Sequence, residues 1–171
     1  FSMVDQHGLK KHGRGGFTCH ICVLRPKSVG SVKLADANPN SPPLIDPAFL
    51  KDERDLDTML AGVKQAQQIM QAPSFDAHRG KALYAGASND DEELKEDIRN
   101  RADTIYHPVG TCKMGPDSDP NAVVDQRLRV RGIKSLRVID ASIMPKIVSG
   151  NTNAPSIMIG EKGAHMILED A

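Results

Sequence analysis

VVDQRLRVRGIKSLRVIDASIMP, residues 123–145, carries the strongest structural signal in the chain. LRVRG at 128–132 and LRVID at 136–140 set an apolar residue at every second position with arginine between. That period of two is the pattern of a half-buried strand. A Gly-Ile-Lys-Ser turn at 132–135 splits the two strands, and Pro145 closes the segment.

Working outward, the downstream stretch VSGNTNAP (148–155) leads into a helix over about 155–168. Pro155 suits a first helical turn, with Asn153 or Ala154 as the cap. Upstream, PDSDPNAVVDQ (116–126) is a turn-rich connection whose Asp117, Asp119 and Asp125 lack calcium-loop spacing. A helix is expected from 52 to about 71, because Leu56, Met59, Leu60, Val63, Ala66 and Met70 recur at helical spacing. Asp52 is its cap and Pro73 its stop. A second helix should begin at Ser88, with Asp90, Asp91, Glu92 and Glu93 suiting the dipole of its first turn. Leu94, Ile98 and Ala102 form its apolar stripe. Strand signals lie at 17–24 and 30–34 and predict a hairpin or neighbouring antiparallel pair. Residues 37–47 read as a loop, and 1–16 as a glycine-rich, flexible end. Strands and helices in this order predict an α+β fold: a mostly antiparallel sheet flanked by helices.

Composition narrows the function classes. The chain has 171 residues, 39% of them hydrophobic and only 4% aromatic, so its core is thin. Acidic and basic residues balance at 22 each, which gives no support to a nucleic-acid partner. No apolar run approaches the roughly 20 residues needed to span a bilayer. Three cysteines without a framework fit a reducing compartment. Cys19 and Cys22 form a Cys-x-x-Cys inside FTCHICVL, but no second pair follows at zinc spacing. They read as buried structural thiols, and no metal site is expected.

Two stretches hold candidate chemistry. In TIYHPVGTCKMG (104–115), His107 is held between Tyr106 and Pro108, and Gly110 permits a sharp turn. Proline restricts its own backbone and that of the residue before it. Such rigidity suits an imidazole aimed at a reactive atom, although one histidine among six is by itself an ordinary surface or core group. In GNTNAP (150–155), two asparagines flank a threonine just before a helix. Bare amides at a helix N-terminus attract negative charge. Periodicity alone favours a plain asparagine cap there.

Taken in order, YHPVGTCKMG, VVDQRLRVRGIKSLRVIDASIMP and GNTNAPSIMIGEKGAHMI resemble the glucose–methanol–choline oxidoreductases, flavoproteins that oxidise alcohols. The resemblance is dense over 103–169 and looser at FTCHICVLRPKSVGSVKL and the helix after Asp52. It leans to the bacterial alcohol dehydrogenase and choline dehydrogenase branch. The resemblance implies that His107 is the active-site histidine and Asn151 the second member of its pair. His107 would take the hydroxyl proton of a primary alcohol, Asn151 would hydrogen-bond the same oxygen, and hydride would pass to N5 of FAD. Asp140 and Ala141 match a contact with the ribityl–phosphate region of the cofactor. Asn153 matches a position lying against the flavin ring, and Asn151 and Thr152 are expected among the cofactor-binding residues with it.

The resemblance also implies a division of the chain. Residues 17–134 correspond to part of a substrate-binding domain. Residues 135–171 supply a strand and helix that complete the FAD-binding domain. The Gly-x-Gly-x-x-Gly loop that binds the FAD diphosphate in such enzymes is not found, so the chain reads as the C-terminal part of a longer enzyme, inactive when isolated. The implied partners are a small alcohol and a quinone or other electron acceptor. The implied location is cytoplasmic, with peripheral attachment to the inner membrane as the alternative. Two rival readings stay open: a choline dehydrogenase segment, and a non-catalytic binding or structural domain that retains the fold.

Overall fold

The computed structural model describes residues 3–5, 10–11 and 16–171. Its elements are β1 (Met3–Asp5), β2 (Lys10–Lys11), β3 (Ser31–Lys33), β4 (Leu44–Asp46), α1 (Glu53–Met70), α2 (Asp91–Arg101) and α3 (Asn153–Glu169), with short 3-10 turns at Pro73–Phe75, Tyr84–Ala87 and Ala141–Ile143. The class is α+β, and its regular strands form two antiparallel ribbons, β1–β2 and β3–β4. The β1–β2 ribbon falls within 1–16, and the remainder of the flexible end expected there lies outside the described residues. The chain folds as two compact units, one from 1–30 and 47–105, the other from 31–46 and 106–171.

In the first unit, α1 and α2 bury Leu56, Leu60, Leu94 and Ile98 against one another, with Leu50, Met59 and Val63 packed around them. Asp52 caps α1 as expected, accepting the amide of Arg54 at 3.1 Å. The cap of α2 is Asp90 rather than Ser88: its carboxylate accepts the amides of Glu92 and Glu93 at 2.9 Å each. Ser88 sits outside the helix, where its hydroxyl accepts the Asp90 amide. Ala102 is the exposed C-cap and does not continue the buried stripe.

The predicted strand at 17–24 does not form. This segment runs against α1 instead: a Cβ at Gly62 would meet Ile21 Cγ2 at 2.5 Å, and Phe17 stacks on Phe75. Gly62 is therefore the groove that admits Ile21. The segment ends where Asp55, 3% exposed, accepts the amides of Lys27 and Ser28 at 2.8 Å each. Burial pushes the Asp55 carboxyl up, but the hydrogen bonds from Ser28 and Lys27 outweigh it and hold the group below the usual carboxylate range. Without a strand to bury them, Cys19 and Cys22 are exposed free thiols, not core groups. Among the described residues no cluster of His, Cys, Asp and Glu is placed to hold a metal ion.

In the second unit, β3 pairs with β4 in register Val32 with Ile45. The end of the expected loop at 37–47 is thus a strand, and it takes the partner assigned to 17–24. The core joins the two halves of the 123–145 stretch: Val124, Leu128, Ile143 and Met144 are buried with Ile159 of α3. The alternation at 128–132 and 136–140 gives isolated bridges, Val124 with Val130 and Arg129 with Arg137, rather than continuous strands. Two tight turns explain the interruption. Leu128, Gly132 and Ser135 all take positive φ, which breaks a ladder within a residue or two. Asp125 binds the amides of Arg127 and Arg129 and the Arg129 guanidinium, closing the first turn. The α3 helix starts two residues earlier than predicted, with Thr152, not Asn153 or Ala154, at its cap. At its other end, Arg127 and Arg137 grip the carboxylate of Asp170, and Arg127 also reaches Glu169 at 3.0 Å.

Candidate functional site

Every candidate residue lies in the second unit. His107 sits in a loop whose backbone is forced. Tyr106 before it has φ 63°, a left-handed value that is costly for a bulky side chain. Pro108 follows, and Gly110 takes φ 89°. Glycine is required there twice over, because a Cβ would also approach the Met144 carbonyl oxygen to 3.3 Å.

That close approach belongs to a main-chain seam. The amide of Cys112 donates to the Ser142 carbonyl at 3.0 Å, and the amide of Met114 to the Ile143 carbonyl at 2.8 Å. The loop that carries His107 is thereby tied to the 3-10 turn Ala141–Ile143. Asp140 opens this turn, its carboxylate accepting the Ser142 amide at 2.7 Å. Ala141 is half-buried beside the core cluster. Lys113, one residue past Cys112, donates to Asp119 at 2.7 Å. Its ammonium, with the Asn121 amide, holds the Asp119 carboxyl below its ordinary range.

His107 is half-buried, and its Nδ1 lies 3.1 Å from the Thr152 hydroxyl and 3.5 Å from the Thr152 amide nitrogen. Residues 45 apart in sequence are thus brought into contact, and the start of α3 is placed beside the imidazole. Asn151 and Asn153 flank Thr152 and are both exposed. No hydrogen bond joins His107 to Asn151; the imidazole is held by the neighbour of the expected partner. Asp140 and Ala141 are carried by the segment to which the histidine loop is seamed. Among the six candidate positions, then, His107 and Thr152 touch, Asn151 and Asn153 adjoin that contact, and Asp140 and Ala141 lie across the seam.

The first turn of α3 is chemically open. Pro155 has no N–H, the amide of Ser156 donates to the Thr152 carbonyl at 3.0 Å, and Thr152 gives the helix no side-chain cap. The amides of Asn153 and Ala154 are therefore the uncapped donors, at the positive end of a 17-residue helix. This donor set fits an electron-rich, flat or anionic group placed at the helix end. The exposed Ile157 and Met158 on the next turn add apolar surface.

Sequence reasoning missed the Thr152–imidazole contact. Threonine before a helix reads as an ordinary cap, and the only hint in the sequence is Pro155, which removes one of the amides such a cap would bind.

Comparison with known proteins gives a consistent picture. The family model described as GMC oxidoreductase matches residues 26–160. The alcohol dehydrogenase (acceptor) of Pseudomonas putida is 52% identical over 166 residues, covering 94% of this chain and 30% of that protein. The mitochondrial choline dehydrogenase of Mus musculus is 43% identical over 167 residues, covering 97% of this chain and 28% of that protein. Among solved structures, pyridoxine 4-oxidase from Mesorbium loti superposes with a TM-score of 0.79 at 33% identity, over 85% of this chain and 28% of that one. The chain spans under a third of the length of these relatives.

Proposed function

This chain belongs to the GMC oxidoreductase family, and from that premise we propose that it is the catalytic and substrate-recognition segment of an FAD-dependent enzyme oxidising primary alcohols to aldehydes. One observation carries the reading: His107 and the start of α3, distant in sequence, meet through a 3.1 Å contact. In this reading residues 17–134 contribute to the substrate-binding domain and 135–171 complete the FAD-binding domain. Electrons pass to a quinone or similar acceptor, in the cytoplasm or at the face of the inner membrane.

FAD, when bound, supplies the acceptor for the hydride. The uncapped amides of Asn153 and Ala154 fit the electron-rich edge of its ring, and Asp140 and Ala141 lie on the seamed segment where the rest of the cofactor would be held. The chain's own residues handle the substrate oxygen. His107 has Nδ1 engaged by Thr152, so Nε2 is its free nitrogen and receives the hydroxyl proton. Asn151 offers its side-chain amide to the same oxygen. A neutral imidazole serves as a general base, an effect commonly worth about 10²–10⁴ in rate.

A choline substrate would need aromatic faces or carboxylates around its quaternary ammonium. The chain offers no Trp, two Tyr and four Phe, and Tyr84 is already covered by the Arg101 guanidinium at 3.6 Å. On this ground the reading favours an uncharged primary alcohol over choline.

The test is H107A and N151A in the gene product that carries this sequence, assayed with aliphatic and aromatic primary alcohols, choline and a quinone-type dye. The expected result is a loss of about 10²–10⁴ in kcat/KM for H107A with flavin content unchanged. An H107A enzyme within twofold of wild type would overturn the reading, as would a wild-type preference for choline over every uncharged alcohol.

A further inference from the structure

We propose that Thr152 is the positioning residue for His107: its hydroxyl, withdrawn from helix capping, holds the ring through Nδ1 and leaves Nε2 as the nitrogen that meets the substrate. The inference rests on the alcohol-oxidising reading above and adds to it a residue that acts through the base.

A threonine at an N-cap ordinarily accepts a hydrogen bond from the second or third amide of its helix. Thr152 accepts neither, and the third residue is Pro155, which has no N–H. The hydroxyl faces His107 Nδ1 at 3.1 Å instead. The rest of Thr152 is fixed independently. Its carbonyl accepts the Ser156 amide at 3.0 Å and the Ser156 hydroxyl at 2.6 Å. Its β-branch leaves few rotamers at χ1. A rigid residue thus presents one oxygen to a ring that otherwise turns freely about two bonds.

A hydroxyl is well matched to this task because it both donates and accepts. With Nδ1 protonated, Oγ1 accepts from it and Nε2 keeps its lone pair. When the substrate O–H bond breaks, its proton forms the Nε2–H bond and the electron pair stays on the substrate oxygen. The ring becomes imidazolium, and the Nδ1–H···Oγ1 bond becomes charge-assisted and stronger. The Thr152 amide, at 3.5 Å from the same nitrogen, favours the opposite tautomer, with Nδ1 bare. The 3.1 Å hydroxyl contact accommodates either tautomer, so the Nδ1–H form is assigned from the base role itself, which requires a lone pair on Nε2.

Two variants separate this role from a structural one. T152V keeps the shape and removes the hydroxyl; T152S restores it. Long-range proton–nitrogen spectra of the histidine-labelled 171-residue chain read the tautomer of His107 directly. The expected result is a dominant Nδ1–H form in wild type and T152S, and a shift toward Nε2–H in T152V. In the gene product carrying this sequence, T152V should lose about tenfold to hundredfold in kcat with KM little changed, as expected of a misplaced base. T152S should rescue most of that loss. A T152V chain with the wild-type tautomer ratio, or a T152V enzyme with wild-type kcat beside a dead H107A enzyme, overturns the positioning role and leaves the alcohol-oxidising reading standing. An H107A enzyme of full activity strikes that reading instead, and the T152V spectrum still decides whether the contact sets the tautomer.

Discussion

Two glycines of α3, three residues apart, should respond to the same substitution with opposite sign. Gly163 is buried, and a Cβ built on it would lie 2.4 Å from Ile139 Cγ2, 3.0 Å from Cδ1 and 3.2 Å from Cγ1. Carbon atoms in ordinary contact sit about 3.5–4.0 Å apart, so a methyl at 163 forces the helix or Ile139 to move by more than an ångström. Overpacking of that kind costs about 1–3 kcal/mol. Gly160 faces open space, with nothing within 4 Å of its would-be Cβ. Both positions gain the helix propensity of alanine over glycine, about 1 kcal/mol. That gain is common to the pair, so the difference in unfolding free energy between G160A and G163A isolates the packing cost. The expected difference is about 1–3 kcal/mol, with G160A above wild type and G163A at or below it. Urea titrations followed by far-ultraviolet circular dichroism give both values. The I139A background supplies a control: it deletes the three clashing atoms, so the cost of G163A over G160A should vanish there. If G163A is stabilised as much as G160A in the Ile139 chain, α3 does not pack on this residue, and the placement of Thr152 beside His107 loses its support.

The remaining predictions concern carboxylates of the first unit. Asp55→Ala should cost about 2–4 kcal/mol in a urea titration, because it removes the charged acceptor, itself buried, to which the amides of Lys27 and Ser28 donate. Since the folded Asp55 carboxyl lies below its ordinary value of 3.8, its contribution is fully present above that value and fades as pH falls through the lower folded one; an Asp55→Asn chain whose stability has the same acid dependence as wild type would refute this. Asp52 is held at about 2, first by the Arg54 guanidinium at 2.8 Å and 2.5 Å, against a smaller opposing effect of burial. In carbon-detected NMR titrations R54A should return the Asp52 carboxyl toward the usual carboxylate range, and an unmoved midpoint would show that the pair is not populated in solution.

Much of the fold was legible because the signals were local. The α1 periodicity and the Asp52 cap need only neighbours within a turn, and both stand as read. The cap of α2 was misplaced by two residues because Ser88 and Asp90 each offer an oxygen, and only the structure shows which oxygen meets the Glu92 and Glu93 amides. The failures were non-local. FTCHICVL alternates like a strand, yet Gly62 on α1 gives Ile21 a seat beside the helix, and the strand signal at 30–34, observed as Ser31–Lys33, pairs instead with a segment whose prolines and asparagines read as loop. Of the candidate site, the rigid setting of His107 was visible in Tyr-His-Pro and Gly110, whereas the identity of its partner was not. Thr152 differs from an ordinary cap only in where its hydroxyl turns, a choice made by tertiary packing and by the missing amide of Pro155.

The seam between the histidine loop and the 3-10 turn uses only backbone groups, Cys112 to Ser142 and Met114 to Ile143. The hydrogen bonds of the seam therefore do not depend on the side chains of Cys112 and Ser142, and exchanges at these two positions leave the alignment of the two segments in place. The position of the His107 loop is thus set by main-chain groups, and proline is the one residue type the seam forbids at 112 and 114.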